Sequence, residues 1–144
     1  MSELFGKDMS QHVMKSNVMK DDFGWEVPYE LVPIPSRGVI YDPNSDLYCL
    51  DSVQIKAMTA KEEDILASQA LLKQGSVVTS LIRSCVVNTK FDPANMISGD
   101  RNALMISIRI TGYGPEYPYT SECENCSHKN KMTAKLDELA IKRL

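Results

Sequence analysis

Long apolar runs are missing from this 144-residue chain. The first twenty residues, MSELFGKDMSQHVMKSNVMK, break every apolar stretch with charge, so neither a signal-peptide core nor a membrane span is expected, and synthesis into the cytosol is. An excess of positive charge is missing too. Lys plus Arg total 16 against 19 for Asp plus Glu, a net charge of -3, which argues against a protein whose main task is gripping phosphate. There are only two histidines, His12 and His128, and neither stands in a serine or cysteine arrangement that would activate a nucleophile. No glycine-rich phosphate loop exists, because Gly112-Tyr113-Gly114 is short and closed by Pro115. Repeats and low-complexity tracts are absent. Catalysis therefore has no visible home, and the chain reads as a non-enzyme.

What is present is the composition of a globular protein, 43% apolar and 24% charged. A chain of this length buries about two-thirds of its unfolded surface, so one domain with a real core needs no staple. The expected fold class is α+β: a small N-terminal β-hairpin sheet, two to three packed helices and a C-terminal cysteine-bearing hairpin.

Residues 1 to 30 read as an arm, flexible or held by a partner, ahead of a single domain over 31–144. Val13, Met14, Val18 and Met19 fall at helical spacing, so a short helix on a partner competes with a floppy terminus. Phe23 and Trp25 are the expected anchors, since aromatic side chains concentrate binding energy at interfaces. Against that, Trp25 has the alternative of folding back beside Pro28 and Pro33. The stretch EVPYELVPIPS (Glu26–Ser36) must be extended, and its prolines predict an edge position rather than a central strand. Gly38–Tyr41, the turn formers Asp42–Asp46 and Leu47–Leu50 predict a hairpin, with Ser52–Lys56 extending its sheet.

Thr59 and Glu62 have the spacing of a capping box, opening a helix whose buried face is Ile65, Leu66, Leu71 and Leu72 and which ends at Gly75. Ser76 is placed to cap a second helix carrying Val77, Val78, Leu81, Ile82, Cys85 and Val86. Asp100 is placed to cap a third, Arg101 to Thr111, although the alternation Leu104, Ile106, Ile108, Ile110 also fits a strand. Glu62, Glu63 and Asp64 are explained by the positive end of the helix dipole. Arg101 and Arg109 share one face of the third helix and read either as paired partner-binding groups or as side chains reaching solvent.

Residues 116–136 predict a hairpin with Cys123-Glu-Asn-Cys126 at its tip, and Lys135–Leu144 the start of a short helix. Two thiols at this spacing can grip one side of a structural zinc ion, with His128 as a third ligand. A second C-x-x-C is missing, so a reduced surface pair is the competing reading; Cys49 and Cys85 are assigned to a strand and a helix as small core residues. A thioredoxin-like role lacks its βαβ context.

Four segments in order resemble one family: VPIPSRGVIY (Val32–Tyr41), MTAKEEDIL (Met58–Leu66), GDRNAL (Gly99–Leu104) and RITGYGPEY (Arg109–Tyr117), followed by the cysteine pair. They are similar to the baseplate hub proteins of T4-like contractile-tailed bacteriophages, the hub subunit and hub assembly catalyst. The resemblance implies a non-enzymatic structural or assembly protein, working through contacts with other hub and tail proteins. It also implies residence in the virion tail baseplate, or in the host cytoplasm during assembly. The competing class is a small zinc-ribbon-type accessory factor touching nucleic acid through Lys129, Lys131 and Lys135, against which the net acidity weighs.

Overall fold

In the computed structural model, residues 17–20, 23–87 and 90–144 are described. Three antiparallel strands, β1 (Asn17–Lys20), β2 (Glu26–Pro33) and β3 (Ser52–Lys56), form one sheet in the order β1-β2-β3. Four helices follow: α1 (Ala60–Ala67), α2 (Gln69–Gln74), α3 (Val77–Cys85) and α4 (Ser98–Tyr113). A separate hairpin, β4 (Glu116–Glu122) and β5 (Lys129–Lys135), completes an α+β fold.

The proline-bearing strand is central in this sheet, contrary to the expectation of an edge. The register explains why. β1 pairs with β2 from Glu26 to Tyr29 and β3 pairs with it from Tyr29 to Pro33, so the two neighbours overlap at Tyr29 alone. Pro28 and Pro33 each therefore have one open side, where a missing N–H costs no ladder bond. Val18 and Met19 lie in β1, in place of the floppy terminus or partner-bound helix weighed for them; Val13 and Met14 fall outside the described residues. The boundary expected at residue 30 falls inside β2.

No hairpin forms over Gly38–Leu50. This segment is a succession of tight turns, Val39 N–H to Ser36 O, Tyr41 N–H to Gly38 O, Tyr48 N–H to Ser45 O and Leu50 N–H to Leu47 O. Asp42, Pro43, Asn44 and Ser45 favour turns over ladders, and the turns stack tightly. A β-carbon on Gly38, at φ 71°, would lie 2.3 Å from Leu50 N and 2.5 Å from Leu47 O, so only glycine fits there. Cys49 is exposed in this loop at φ 56° rather than packed in a strand.

The core joins Val32, Ile34, Val53 and Ile55 from the sheet side, Leu47 from the loop, Leu81, Ile82 and Cys85 from α3, and Leu104 and Ile108 from α4. Cys85 is a core residue, as expected. The helix expected from Thr59 to Gly75 is broken in two at Ser68, whose Oγ accepts from Leu71 N–H and caps α2. Only Ile65 and Leu66 of its expected face reach the core, and Leu72 is exposed. Gly75, at φ 67°, ends α2 in the left-handed conformation, with its N–H bonded to Leu72 O. Ser76 is the residue before α3, yet its Oγ is buried without a hydrogen-bond partner rather than capping the helix.

α4 is a helix, and it begins one turn earlier than Asp100. Asp100 is wholly buried inside it instead of standing at its cap. Its Oδ1 accepts from Ser36 N–H at 3.0 Å, and its Oδ2 from Ser36 Oγ and Tyr41 Oη, both at 2.6 Å. Tyr41 Oη in turn accepts from Ile97 N–H, so the tyrosine takes over the capping role expected of Asp100. Burial and the hydrogen bond to Asp100 push the Tyr41 phenol up to about 12, which keeps it a donor. After β5 there is a single 3-10 turn, Leu136–Glu138, in place of the expected helix, and Leu144 N–H returns to Pro35 O at 3.0 Å.

Candidate interaction face and cysteine turn

Gly114, at φ 84°, stops α4, and Pro115 O accepts from Leu136 N–H, which closes the base of the β4–β5 hairpin beside the helix end. The pairing runs from Glu116 opposite Lys135 to Glu122 opposite Lys129. Directly paired and alternate residues share a face of an antiparallel ladder. One face therefore carries Tyr117, Tyr119, Ala134 and Met132, the other Glu116, Thr120, Glu122, Lys129, Lys131 and Lys135. The ladder thus sets Glu116 against Lys135 and Glu122 against Lys129, and Lys135 also bonds Glu138 at 3.0 Å.

The apolar face is uncovered. Tyr117 is 47% exposed, Tyr119 39% and Met132 49%, although this is the only side of the ribbon with apolar character. The rings of Tyr117 and Tyr119 stack with centroids 6.4 Å apart. Arg109 extends the row onto α4: its guanidinium lies 4.7 Å from the Tyr113 centroid and 5.9 Å from that of Tyr117, and it donates to Gly114 O. Arg109, Tyr113, Tyr117 and Tyr119 form a continuous arginine-tyrosine stripe.

Arg101, expected to work with Arg109, points elsewhere. Its Nη2 donates to Thr79 Oγ1 at 3.0 Å, joining α4 to α3. Met19 is half-buried in β1, while Phe23 and Trp25 stand in the turn before β2 with 87% and 72% exposure; Met14 lies outside the described residues. The tyrosines themselves were passed over in the sequence, although the alternation of Tyr117 and Tyr119 opposite Met132 and Ala134 was there to be read as a one-sided ribbon.

At the hairpin tip, Cys123 N–H donates to His128 O at 2.9 Å and Ser127 N–H to Cys123 O at 2.8 Å, with Ser127 left-handed at φ 54°. Both cysteines are free thiols, Cys126 exposed and Cys123 half-buried. Hydrogen bonds from the backbone N–H groups of Asn125 and Cys126, then from the Cys126 side chain, hold the Cys123 thiol below the usual range. Among the described residues, no group of three His, Cys, Asp or Glu side chains lies close enough together to hold a metal ion.

The two buried carboxylates are structural anchors in this geometry. Glu62, in the first turn of α1 as expected, is wholly buried. Its Oε1 accepts from Ser84 Oγ at 2.5 Å and faces Lys56 Nζ at 3.4 Å, while its Oε2 accepts from Thr59 N–H at 2.8 Å and from the Thr59 hydroxyl. The capping box expected from sequence is formed, and it is shared with α3. Burial alone would raise the Glu62 pKa, but hydrogen bonds from Ser84 and Thr59 and the charge of Lys56 outweigh it and bring it to about 2. A carboxylate held ionised in this way is no proton donor near neutral pH.

The chain is an α+β body with an uncovered aromatic ribbon at its C-terminal hairpin. Residues 34–144 match the family described as T4 bacteriophage base plate protein, and the chain belongs to that family. It is a phage baseplate protein, and its place is in the tail, among other tail proteins. No curated protein and no solved structure matches the chain. No helix among the described residues is long and apolar enough to cross a membrane.

Proposed function

We infer that the chain is a structural or assembly protein of the baseplate hub, docking on another hub protein through the Arg109–Tyr113–Tyr117–Tyr119 stripe. The observation carrying this reading is the uncovered apolar face of the β4–β5 ribbon. A two-stranded hairpin is marginal on its own in water, and its one apolar side gains burial only from something outside the domain. Arginine and tyrosine are the residue types in which interface energy concentrates, and here they are already stacked, so little side-chain freedom is lost on binding. Membership of the baseplate family supplies the kind of partner.

The test is co-purification of the full chain with the other tail proteins of its phage. Tyr117→Ser with Tyr119→Ser is expected to abolish co-purification while shifting the melting temperature of the chain little, because both rings are already exposed. Retention of binding by this double variant would reject the stripe as the docking surface. Mass spectrometry of purified virions separates a resident hub subunit, which it detects, from an assembly factor, which it does not.

A further inference from the structure

We propose that the outer edge of β5 takes up an extended segment of another tail protein as a third strand, a segment alternating acidic and apolar side chains; the proposal rests on the ribbon being the docking face. The phase of the ladder decides which backbone groups face outward. Cys123 N–H donates to His128 O at one end of the hairpin, and Leu136 N–H to Pro115 O at the other. Both pairs continue the register of Glu116 opposite Lys135, so the bonds between the strands belong to the alternate pairs that carry Tyr117, Tyr119 and Ser121. The backbone groups of Glu116, Pro118, Thr120 and Glu122 then point away from β5, and those of Lys129, Lys131, Thr133 and Lys135 point away from β4.

The two outer edges are unlike. On β4, Pro118 falls at an outward position and has no N–H to give, so that edge cannot extend an unbroken ladder. β5 contains no proline, and its outward residues offer a full alternation of donors and acceptors. Among the described residues no strand lies on this edge, and every residue of β5 except Ala134 is exposed. A third strand there turns a marginal ribbon into a sheet with a broader apolar face, because its alternate side chains fall beside Met132 and Ala134.

Charge selects the occupant. Lys129, Lys131, Thr133 and Lys135 line one face of the edge strand. Across the ladder Lys129 meets Glu122 and Lys135 meets Glu116, whereas Lys131 meets the neutral Thr120, so the middle of the row has room for a carboxylate from the far side. A second copy of this chain fits poorly. β5 against β5 brings two lysine rows together, and β5 against β4 meets the missing donor at Pro118. A foreign strand with acid toward Lys131 and apolar side chains toward Met132 satisfies both faces.

The experiment follows amide hydrogen exchange by NMR in the labelled full chain, alone and with two synthetic peptides as probes, one alternating Val with Glu and one alternating Val with Lys. In the free chain the amides of Asn130, Met132 and Ala134 are expected to exchange slowly and those of Lys129, Lys131 and Thr133 fast. The Glu peptide is expected to shift and slow the fast set, and the Lys peptide to leave it unchanged. Thr133→Pro removes one outward N–H without touching the bonds to β4, and is expected to weaken the Glu peptide about fivefold. Lys131→Glu is expected to lower the preference for the Glu peptide over the Lys peptide. Should Thr133→Pro disturb β5, the exchange pattern of the unmodified chain carries the test. Outward amides that are slow in the free chain mean that the chain fills its own edge, and amides that slow with protein concentration mean that a second copy does. Either result overturns the proposal, as does a Glu peptide that leaves them fast or a Lys peptide that slows them equally. Failure of the docking reading looks different: co-purification kept by the Tyr117→Ser, Tyr119→Ser variant, with the outward amides still answering the Glu peptide, rejects the stripe and spares the edge.

Discussion

Glu62 shows how much a single buried side chain can organise. It closes the capping box of α1, binds Ser84 on α3 and faces Lys56 at the end of β3, tying three elements together through one carboxylate. Its pKa is about 2 in the folded chain against an ordinary 4.5, so its contribution is present above pH 4.5 and is lost as pH falls toward 2. The gap corresponds to at most about 3 kcal/mol. Urea unfolding of the native chain and of Glu62→Gln across that range should show the native chain more stable at pH 7, with the difference shrinking on acidification. A difference independent of pH would mean that packing, not charge, is what Gln disturbs. Asp100 gives a second case, because truncating it strands Ser36 N–H, Ser36 Oγ–H and Tyr41 Oη–H in the interior. Asp100→Ala should cost about 2–4 kcal/mol, with Tyr41→Phe costing less, since it removes only one donor to the carboxylate and the acceptor for Ile97 N–H.

Elements whose determinants lie close together in the sequence were legible there. The Thr59–Glu62 box needs only residues three apart, the α3 face repeats over nine residues, and the β4–β5 hairpin has its turn between its own strands. Leu81 was expected at the centre of the α3 face, and it is 2% exposed. Leu81→Ala should accordingly lower stability by about 2–5 kcal/mol in chemical denaturation, and a loss under about 1 kcal/mol would place that face outside the core. What escaped the sequence depends on partners far along the chain. Asp100 has the look of a cap, and only Ser36 and Tyr41, some sixty positions earlier, turn it into an interior anchor. The same anchor holds the Gly38–Leu50 segment in stacked turns instead of the two strands its apolar flanks suggested. Ser68 broke the expected long helix because its hydroxyl competes for a backbone N–H, a local choice that periodicity does not see.

At the scale of the whole molecule, charge bears on the two classes of function the sequence left open. The lysines beside the cysteine turn share their ribbon face with glutamates, so the ladder presents alternating signs where phosphate binding requires a concentrated positive field. Titration with duplex DNA at physiological salt should accordingly give no binding. If Lys129, Lys131 and Lys135 gripped phosphate, affinity would instead fall by about 0.9 log unit per log unit of salt for each phosphate neutralised. The candidate interaction site was only half legible at this scale. Arg109 and the cysteine pair stand out in the sequence, but the tyrosines join them only through the strand register and the angle at which Gly114 releases the chain from α4.

The link between Ser36 and Asp100 also bears on how the protein is made. Sixty-four positions separate the two residues. At ribosomal speeds of roughly 5–20 residues per second, the loop that carries Ile34 and Leu47 waits about 3–13 s after leaving the tunnel before its anchor follows it out. Throughout that interval two side chains destined for the deepest part of the core lie open to solvent and to neighbouring nascent chains. The interval grows wherever translation pauses between the two, so codon choice over residues 37–99 is a lever on the yield of folded protein that no substitution would reveal.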